Sequence, residues 1–427
     1  MVRINDLAIL RGPRHVLFGR GAVSAVGRLT AEHGQRALVC TDPAIAVTPI
    51  LAAVLDSLTA CGVAFEVFDG ALPDLPVDVL DDALTAARRA RPDVLVGVGG
   101  GSSLDLTKLT ALLLRHPAPI EEYYGENRVP GPVTPIIAVP TTAGTGSEVT
   151  PVAVVSDSRR VLKVGVSSPH LVPVGAVCDP ALTDGAPATV TAHAGIDALA
   201  HAIEAFTSVA RTGEPVAELE KSRVFVGKNL LSDLFAREAI ASIYRNLARA
   251  VAHPDDRAAR NGMAYGSTLA GFAFAAAGTS AAHVLQYPLG ARTSTPHGLG
   301  VGLLLPYAME FNRPVRTPEL AEVAAAMRPT GASMPPEEAA VSAVRCVVEL
   351  AAEIGIPGTL QELGVRREEL PEMAEQAAGV TRLIENNPRR LDRPALLALL
   401  DAAWSGDSTA LAGPATERTR EREIPLS

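Results

Sequence analysis

The sequence predicts an α/β half built on a parallel sheet, followed by an all-helical half. Three observations carry this. Short β-branched runs alternate with amphipathic segments up to about residue 186. Beyond Pro187, long Ala/Leu/Glu segments with hydrophobic spacing near 3.6 take over. Between the two grammars, at Asp179–Ala188, Pro180, Gly185 and Pro187 cluster as chain breakers. The division is therefore placed at 1–186 and 187–427.

In the first part the strand-like runs are His15–Phe18, Ala37–Cys40, Ala64–Phe68, Val94–Val98 and Pro135–Val139. Helix-like pieces fall near Ala22–His33, Ala44–Cys61 and Val77–Ala90. Strand and helix in regular alternation imply a parallel sheet covered on both faces, a Rossmann-like arrangement. In the second part, Ser232–His253, Pro318–Met327, Glu337–Ile354 and Arg367–Ala378 read as helices. Gly262–Ala291 carries no Asp, Glu, Lys or Arg and is long enough to pass for a membrane span. It includes His283, Gln286 and Pro288 and has no companion, so it reads as a buried helix of small residues that ends near Pro288. The charge-alternating end from about Gly413 reads as an exposed tail or an arm on a neighbouring subunit.

At 427 residues the chain exceeds one ordinary core, and 48% hydrophobic with 20% charged residues is a globular composition. A net charge of −9 without a basic run argues against nucleic-acid and anionic-membrane partners. Cys40, Cys61, Cys178 and Cys346 form no CxxC pair and read as reduced thiols of a cytoplasmic protein. No signal-peptide pattern precedes Arg11 and Arg14.

Two loops carry phosphate chemistry. Val94–Asp105 reads VLVGVGGGSSLD, a buried strand, then Gly99, Gly100 and Gly101, then a helix opening with Ser102 and Ser103. Glycines let backbone N–H groups approach a phosphate at the positive end of the helix dipole. The run departs from GxGxxG, with Ser in place of the third Gly. Pro140–Thr150, PTTAGTGSEVT, also follows a strand and offers Thr141, Thr142, Thr145 and Ser147 hydroxyls. Asp42, just past the strand Ala37–Cys40, has two equal readings: an acceptor for a ribose diol, or a plain helix N-cap.

In HAGIDALAHAIEA, Asp197 and His201 are four apart and share a helix face. With His283 and His297 they make a three-imidazole, one-carboxylate set suited to Fe(II) or Zn(II). Spacing proposes this set without choosing its members. His193 lies one turn before Asp197 on the same face, and Glu204 reads equally as a supporting acceptor or as an ordinary helix carboxylate.

GGGSSLD, PTTAGTGSE, DALAHAIEA, HVLQYPLG and PHGLG, in that order, resemble the iron-containing (group III) alcohol dehydrogenases, as does NNPRRL at Asn386–Leu391. The resemblance runs from about Phe18 to Leu391. It implies a dinucleotide-binding α/β domain and a helical domain with the active site between them. It also implies a divalent metal held by Asp197, His201, His283 and His297, Fe(II) before Zn(II), while His193 matches no ligand of the family. It assigns Gly99, Gly100, Gly101 and Ser102 to the cofactor pyrophosphate, Thr141, Thr142 and Thr145 to the phosphate and nicotinamide region, Asp42 to the adenosine ribose, and Lys163 to the cofactor.

One departure stands out. Where the family carries a histidine four residues after the third ligand, this chain has Tyr287, which with His283 is the candidate catalytic pair. The expected activity is hydride transfer between NAD, or less readily NADP, and a small alcohol or aldehyde, by a homodimer or larger homo-oligomer. A maleylacetate-reductase-like or other carbonyl-reducing activity of the same broad fold, or a non-catalytic nucleotide-binding regulator, is the alternative.

Overall fold

The computed structural model describes residues 8–157, 159–160, 163–211, 216–328 and 334–413; the charge-alternating end beyond Gly413 lies outside these. Among the described residues nine strands form two sheets: β1 (His15–Phe18), β2 (Arg36–Cys40), β3 (Ala64–Phe68), β4 (Val94–Gly99), β5 (Gly125–Glu126), β6 (Ile136–Pro140), β7 (Val152–Val155), β8 (Val164–Ser167) and β9 (Gly175–Cys178). The main sheet has the order β1-β9-β6-β4-β2-β3 and is parallel throughout. Every residue of β4, β6 and β9 is buried, whereas the edge strands β1 and β3 are only partly covered. That is why the central strands read as unbroken apolar runs.

The chain goes from β2 to β3 on one side, then crosses to β4 on the other. The carboxyl ends of β2 and β4 therefore splay around a topological switch point, where open α/β sheets place their ligands. The loops that leave these ends carry Asp42 and the triple glycine.

The second half is helical, around one apolar core built largely from Ala, Leu, Ile and Val. The helices that matter for the site are Ala188–Thr207, Arg257–Ala277, Ala281–Thr293 and His297–Met327.

Several sequence expectations need correction. A small sheet, with β5 parallel to β8 and β8 antiparallel to β7, lies beside the main one, and neither it nor β9 was expected. Ala44–Cys61 splits into Pro43–Ala46 and Pro49–Ala60, because Pro49 opens a new helix after Thr48. Gly262–Ala291 is not one helix but parts of two, bent by 102° across Gly278–Ser280. Pro288 does not end the second of these; the helix runs on to Thr293 with Pro288 buried inside it. Proline forfeits one backbone bond there, and burial holds the helix together. Pro318–Met327 is the far end of His297–Met327, which turns at Arg316 where φ is −135°. Among the described residues no single helix is long and apolar enough to cross a membrane; the bent pair passes only when its two helices are taken together.

Candidate active site

At the β4 turn, Gly99 has φ 147°, and a Cβ there would meet Ser103 Oγ at 2.5 Å and Asp42 Oδ2 at 3.1 Å. Only glycine fits that conformation. The helix Gly101–Arg115 then starts with free N–H groups, as a phosphate cradle requires. Thr141 N donates to Gly99 O at 3.0 Å, which ties the second loop to the first. A Cβ on Gly100 would meet Thr142 Cγ2 at 3.4 Å, and one on Gly101 would meet Thr145 Cγ2 at 2.8 Å, so both threonines stand close over the turn.

Asp42 divides its two oxygens. Oδ1 caps the helix Pro43–Ala46 by accepting from Ala44 N and Ile45 N, both at 3.0 Å. Oδ2 points to the switch-point crevice and accepts from Ser103 Oγ at 3.2 Å. The cap reading of this carboxylate describes one oxygen, and the other is held by Ser103.

Deeper in the cleft, Asp197 and His201 lie on Ala188–Thr207, His283 on Ala281–Thr293, and His297 at the first position of His297–Met327. The last helix comes in close because a Cβ on Gly298 would stand 2.1 Å from His193 O. His193 thus meets the site through its backbone.

Asp197 Oδ1 faces three imidazole nitrogens: His283 Nε2 at 3.5 Å, His297 Nε2 at 3.7 Å and His201 Nε2 at 3.8 Å. Four ligands set tetrahedrally about 2.0–2.2 Å from one ion lie roughly 3.3–3.6 Å apart. Among the described residues Asp197, His283 and His297 have ligating atoms all within 4.8 Å of one another, while His201 falls outside that group although its Nε2 is 3.8 Å from Asp197 Oδ1. Asp197 Oδ1 and His283 Nε2 are buried without a hydrogen-bond partner, which is costly unless something positive joins them.

The electrostatics suit a cation. Burial opposes the charge on Asp197, but the imidazoles around it prevail and hold the carboxyl well below the usual range. Burial pushes His201 and His297 down to about 4, so both present lone pairs at neutral pH. His283 is also penalised by burial, yet Glu204 and Asp197 raise it to about 9. The cause is local: His283 Nδ1 lies 2.6 Å from Glu204 Oε2, which directs Nε2 inward. Glu204 in turn accepts from Ser280 N at 2.9 Å and Ala282 N at 2.7 Å. Of its two sequence readings, the supporting acceptor is the one seen. The residues fit a divalent metal.

Glycine turn and cage open into one cleft of about 180 Å³. Gly101, Ser102, Thr145 and Lys163 line it on the sheet side, and Asp197, His201, His283, His297 and Tyr287 on the helical side. Asp42, Gly99, Gly100, Thr141 and Thr142 lie outside it, along the switch-point crevice and the turn. Lys163 bonds Asp74 across the rim at 2.5 Å. Tyr287 is half-buried, and burial raises its phenol above the ordinary range.

Sequence reasoning missed Asp74, Phe225, Phe274, Thr279 and Arg382, which also line the cleft. Phe274 stacks on His201 with centroids 4.3 Å apart. Asp105, inside GGGSSLD, was legible as part of a motif but not as a cleft residue; its oxygens accept from Ser147 Oγ at 2.7 Å and Val154 N at 2.9 Å.

A switch-point nucleotide crevice joined to a histidine–carboxylate cage defines a metal-dependent, nicotinamide-linked oxidoreductase. The comparisons agree. The family "Iron-containing alcohol dehydrogenase" matches residues 13–180, and "Fe-containing alcohol dehydrogenase family, C-terminal" matches residues 223–404. Sulfoacetaldehyde reductase from Bilophila wadsworthia is 32% identical over 392 residues, covering 91% of this chain and 97% of that protein. The crystal structure of a 1,3-propanediol oxidoreductase superposes with a TM-score of 0.86 at 32% identity, over 93% of this chain and all of that one. Sulfoacetaldehyde reductase from Bifidobacterium kashiwanohense, solved with NAD+, superposes with a TM-score of 0.79 at 26% identity, over 94% of this chain and all of that one. The chain belongs to the iron-containing alcohol dehydrogenase family. It is an oxidoreductase of alcohols and aldehydes.

Proposed function

We propose that this chain interconverts a short alcohol and its aldehyde with NAD rather than NADP, using Fe(II), or failing that Zn(II), held by Asp197, His201, His283 and His297. The observation that carries this is the ring of three imidazole nitrogens 3.5–3.8 Å from Asp197 Oδ1, opening into the cleft that Gly101 and Ser102 also line. A divalent ion there supplies Lewis-acid polarisation of the alcohol or carbonyl oxygen, and NAD supplies the hydride acceptor.

The chain's own residues do the rest. Glu204 fixes the tautomer of His283, and Phe274 walls the cage against water. Gly99, Gly100, Gly101 and Ser102 receive the pyrophosphate. Thr141, Thr142 and Thr145 serve the phosphate and nicotinamide region, Lys163 reaches the cofactor, and Asp42 Oδ2 accepts from the adenosine ribose. Tyr287 stays protonated and donates a hydrogen bond that orients the substrate. The two functional parts divide at 186/187. Free cysteines without disulfides among the described residues support a cytosolic setting, and the protein is taken to self-associate as a homodimer or larger.

The test is NADH absorbance against a panel of short aldehydes, on protein of measured metal content. Chelation or His201→Ala should abolish turnover and leave NADH binding within a few-fold. Full activity in metal-free protein would sink the ligand assignment. Intact NADH binding with no turnover of any substrate by the metal-loaded protein would favour the regulator instead.

A further inference from the structure

Arg382 stands on the short helix Thr381–Asn386 and lines the cleft beside Tyr287, Phe225 and Thr279. Its guanidinium lies 4.5 Å from the centroid of the Phe225 ring, which holds the plane and shields one face from water. Its acidic neighbour is Glu126, with Nε 3.8 Å from Oε1, too far for a hydrogen bond. Glu126 Oε2 accepts from Val224 N at 2.7 Å, and Oε1 is the oxygen that faces Arg382. Among the described residues Arg382 makes no side-chain hydrogen bond. Its two terminal amino groups therefore bring four N–H donors with no protein acceptor.

The other charges of the cleft are matched. Lys163 is bonded to Asp74, Asp105 is held by Ser147 and the Val154 N–H, and Asp197 serves the metal cage. Arg382 has only the loose ion pair with Glu126, at 3.8 Å, and keeps its N–H donors without a hydrogen-bond acceptor. Its position follows from the helix geometry. Tyr287 lies one turn beyond His283, about 6 Å along the axis. Arg382 and Tyr287 line the same cleft. The cleft thus runs from the cage, past Tyr287, to Arg382.

We propose that Arg382 receives an anionic end of the substrate, so that the preferred substrate is a short aldehyde or alcohol bearing a carboxylate or similar oxyanion at the end remote from the reacting oxygen. This rests on the dehydrogenase reading above and narrows its substrate class. A planar guanidinium fork matches a carboxylate in two parallel bonds. The other oxyanion available to this cleft is the cofactor pyrophosphate, for which the glycine turn on the sheet side provides.

The test uses the metal-loaded full chain at saturating NADH, with ω-oxo carboxylates of four to six carbons and their neutral primary amides. At the optimal length kcat/KM should favour the acid by roughly ten- to a hundredfold. Arg382→Met, which keeps an apolar stem on Phe225, should bring that ratio toward one through KM for the acid. Arg382→Lys, which keeps the charge and loses the fork, should retain part of it. A wild-type preference for the amide overturns the proposal. So does an unchanged ratio in Arg382→Met with weakened NADH binding, which would assign the residue to the cofactor.

If no carbonyl compound turns over, the dehydrogenase reading fails on its own. Calorimetry of a saturated acid against its amide, on NADH-loaded chain, then decides the anion site. Acid-selective binding lost in Arg382→Met upholds it, and equal binding overturns it.

Discussion

Asp42 shows how one side chain can answer to two constraints at once. Because Oδ1 caps a helix and Oδ2 faces the crevice, two substitutions separate the roles. Asparagine caps about as well as aspartate, whereas alanine at such a position costs about 1 kcal/mol. Asp42→Asn should therefore keep its thermal stability while narrowing the preference for NAD over NADP, by removing a charge that would repel a 2′-phosphate. Asp42→Ala should lose both, and unchanged cofactor preference in both variants would leave the cap as the residue's whole role. Tyr287 calls for a similar separation. With its phenol raised by burial it is a poor proton carrier at neutral pH, so Tyr287→Phe should lower kcat by less than about tenfold and unevenly across substrates. A uniform loss of a hundredfold or more would make the hydroxyl a relay instead. The candidate ligands were legible through their motifs, helical spacing pairing only Asp197 with His201. Arg382 and Phe225 were not, since each sits in a segment whose local pattern is that of an ordinary helix or loop, and only tertiary packing turns them to the cleft.

The bend between Arg257–Ala277 and Ala281–Thr293 is what brings His283 round to Asp197. It ends one helix and begins another inside the core, so backbone carbonyls there need partners. Asn386, from the NNPRRL run, provides them: its Nδ2 donates to Ala277 O at 2.9 Å and Thr279 O at 3.0 Å. Asn386→Ala should cost roughly 1–3 kcal/mol in chemical denaturation, the penalty for stranding buried acceptors. It should also weaken metal binding, because His283 follows the bend. A loss below about 0.5 kcal/mol would show that the bend is held by packing alone. From sequence the segment looked like one helix, since nothing charged or prolyl interrupts it before Pro288, and the stitch comes from residues a hundred positions away.

A second fastening joins the helix Gly101–Arg115 to the small sheet. Lys108, fully buried, donates to Thr150 O at 2.9 Å and Val152 O at 2.8 Å. Burial lowers it to about 8 from its ordinary 10.5, against the pull of Asp105 and Glu148. Between those values the unfolded chain binds the extra proton, so stability should rise with pH from about 8 to 10.5, and below 8 this lysine adds no slope. The melting temperature of wild type minus that of Lys108→Met should climb across that window; a flat difference would refute the assignment.

On the scale of the whole molecule, alternation and periodicity revealed the parallel sheet and the helical half because both patterns report burial on regular elements. They missed β5, β7, β8 and β9, which are two to four residues long. The strand order has a further consequence, in time rather than space. Within the sheet β1 pairs with β9 alone, and His15 lies opposite Gly175. Those partners are 175 − 15 = 160 residues apart. At about 5–20 residues per second of synthesis, β1 waits roughly ten to thirty seconds after leaving the ribosome before its neighbour exists. Through that interval the first strand made is an unpaired edge, and it must be the last to join the sheet.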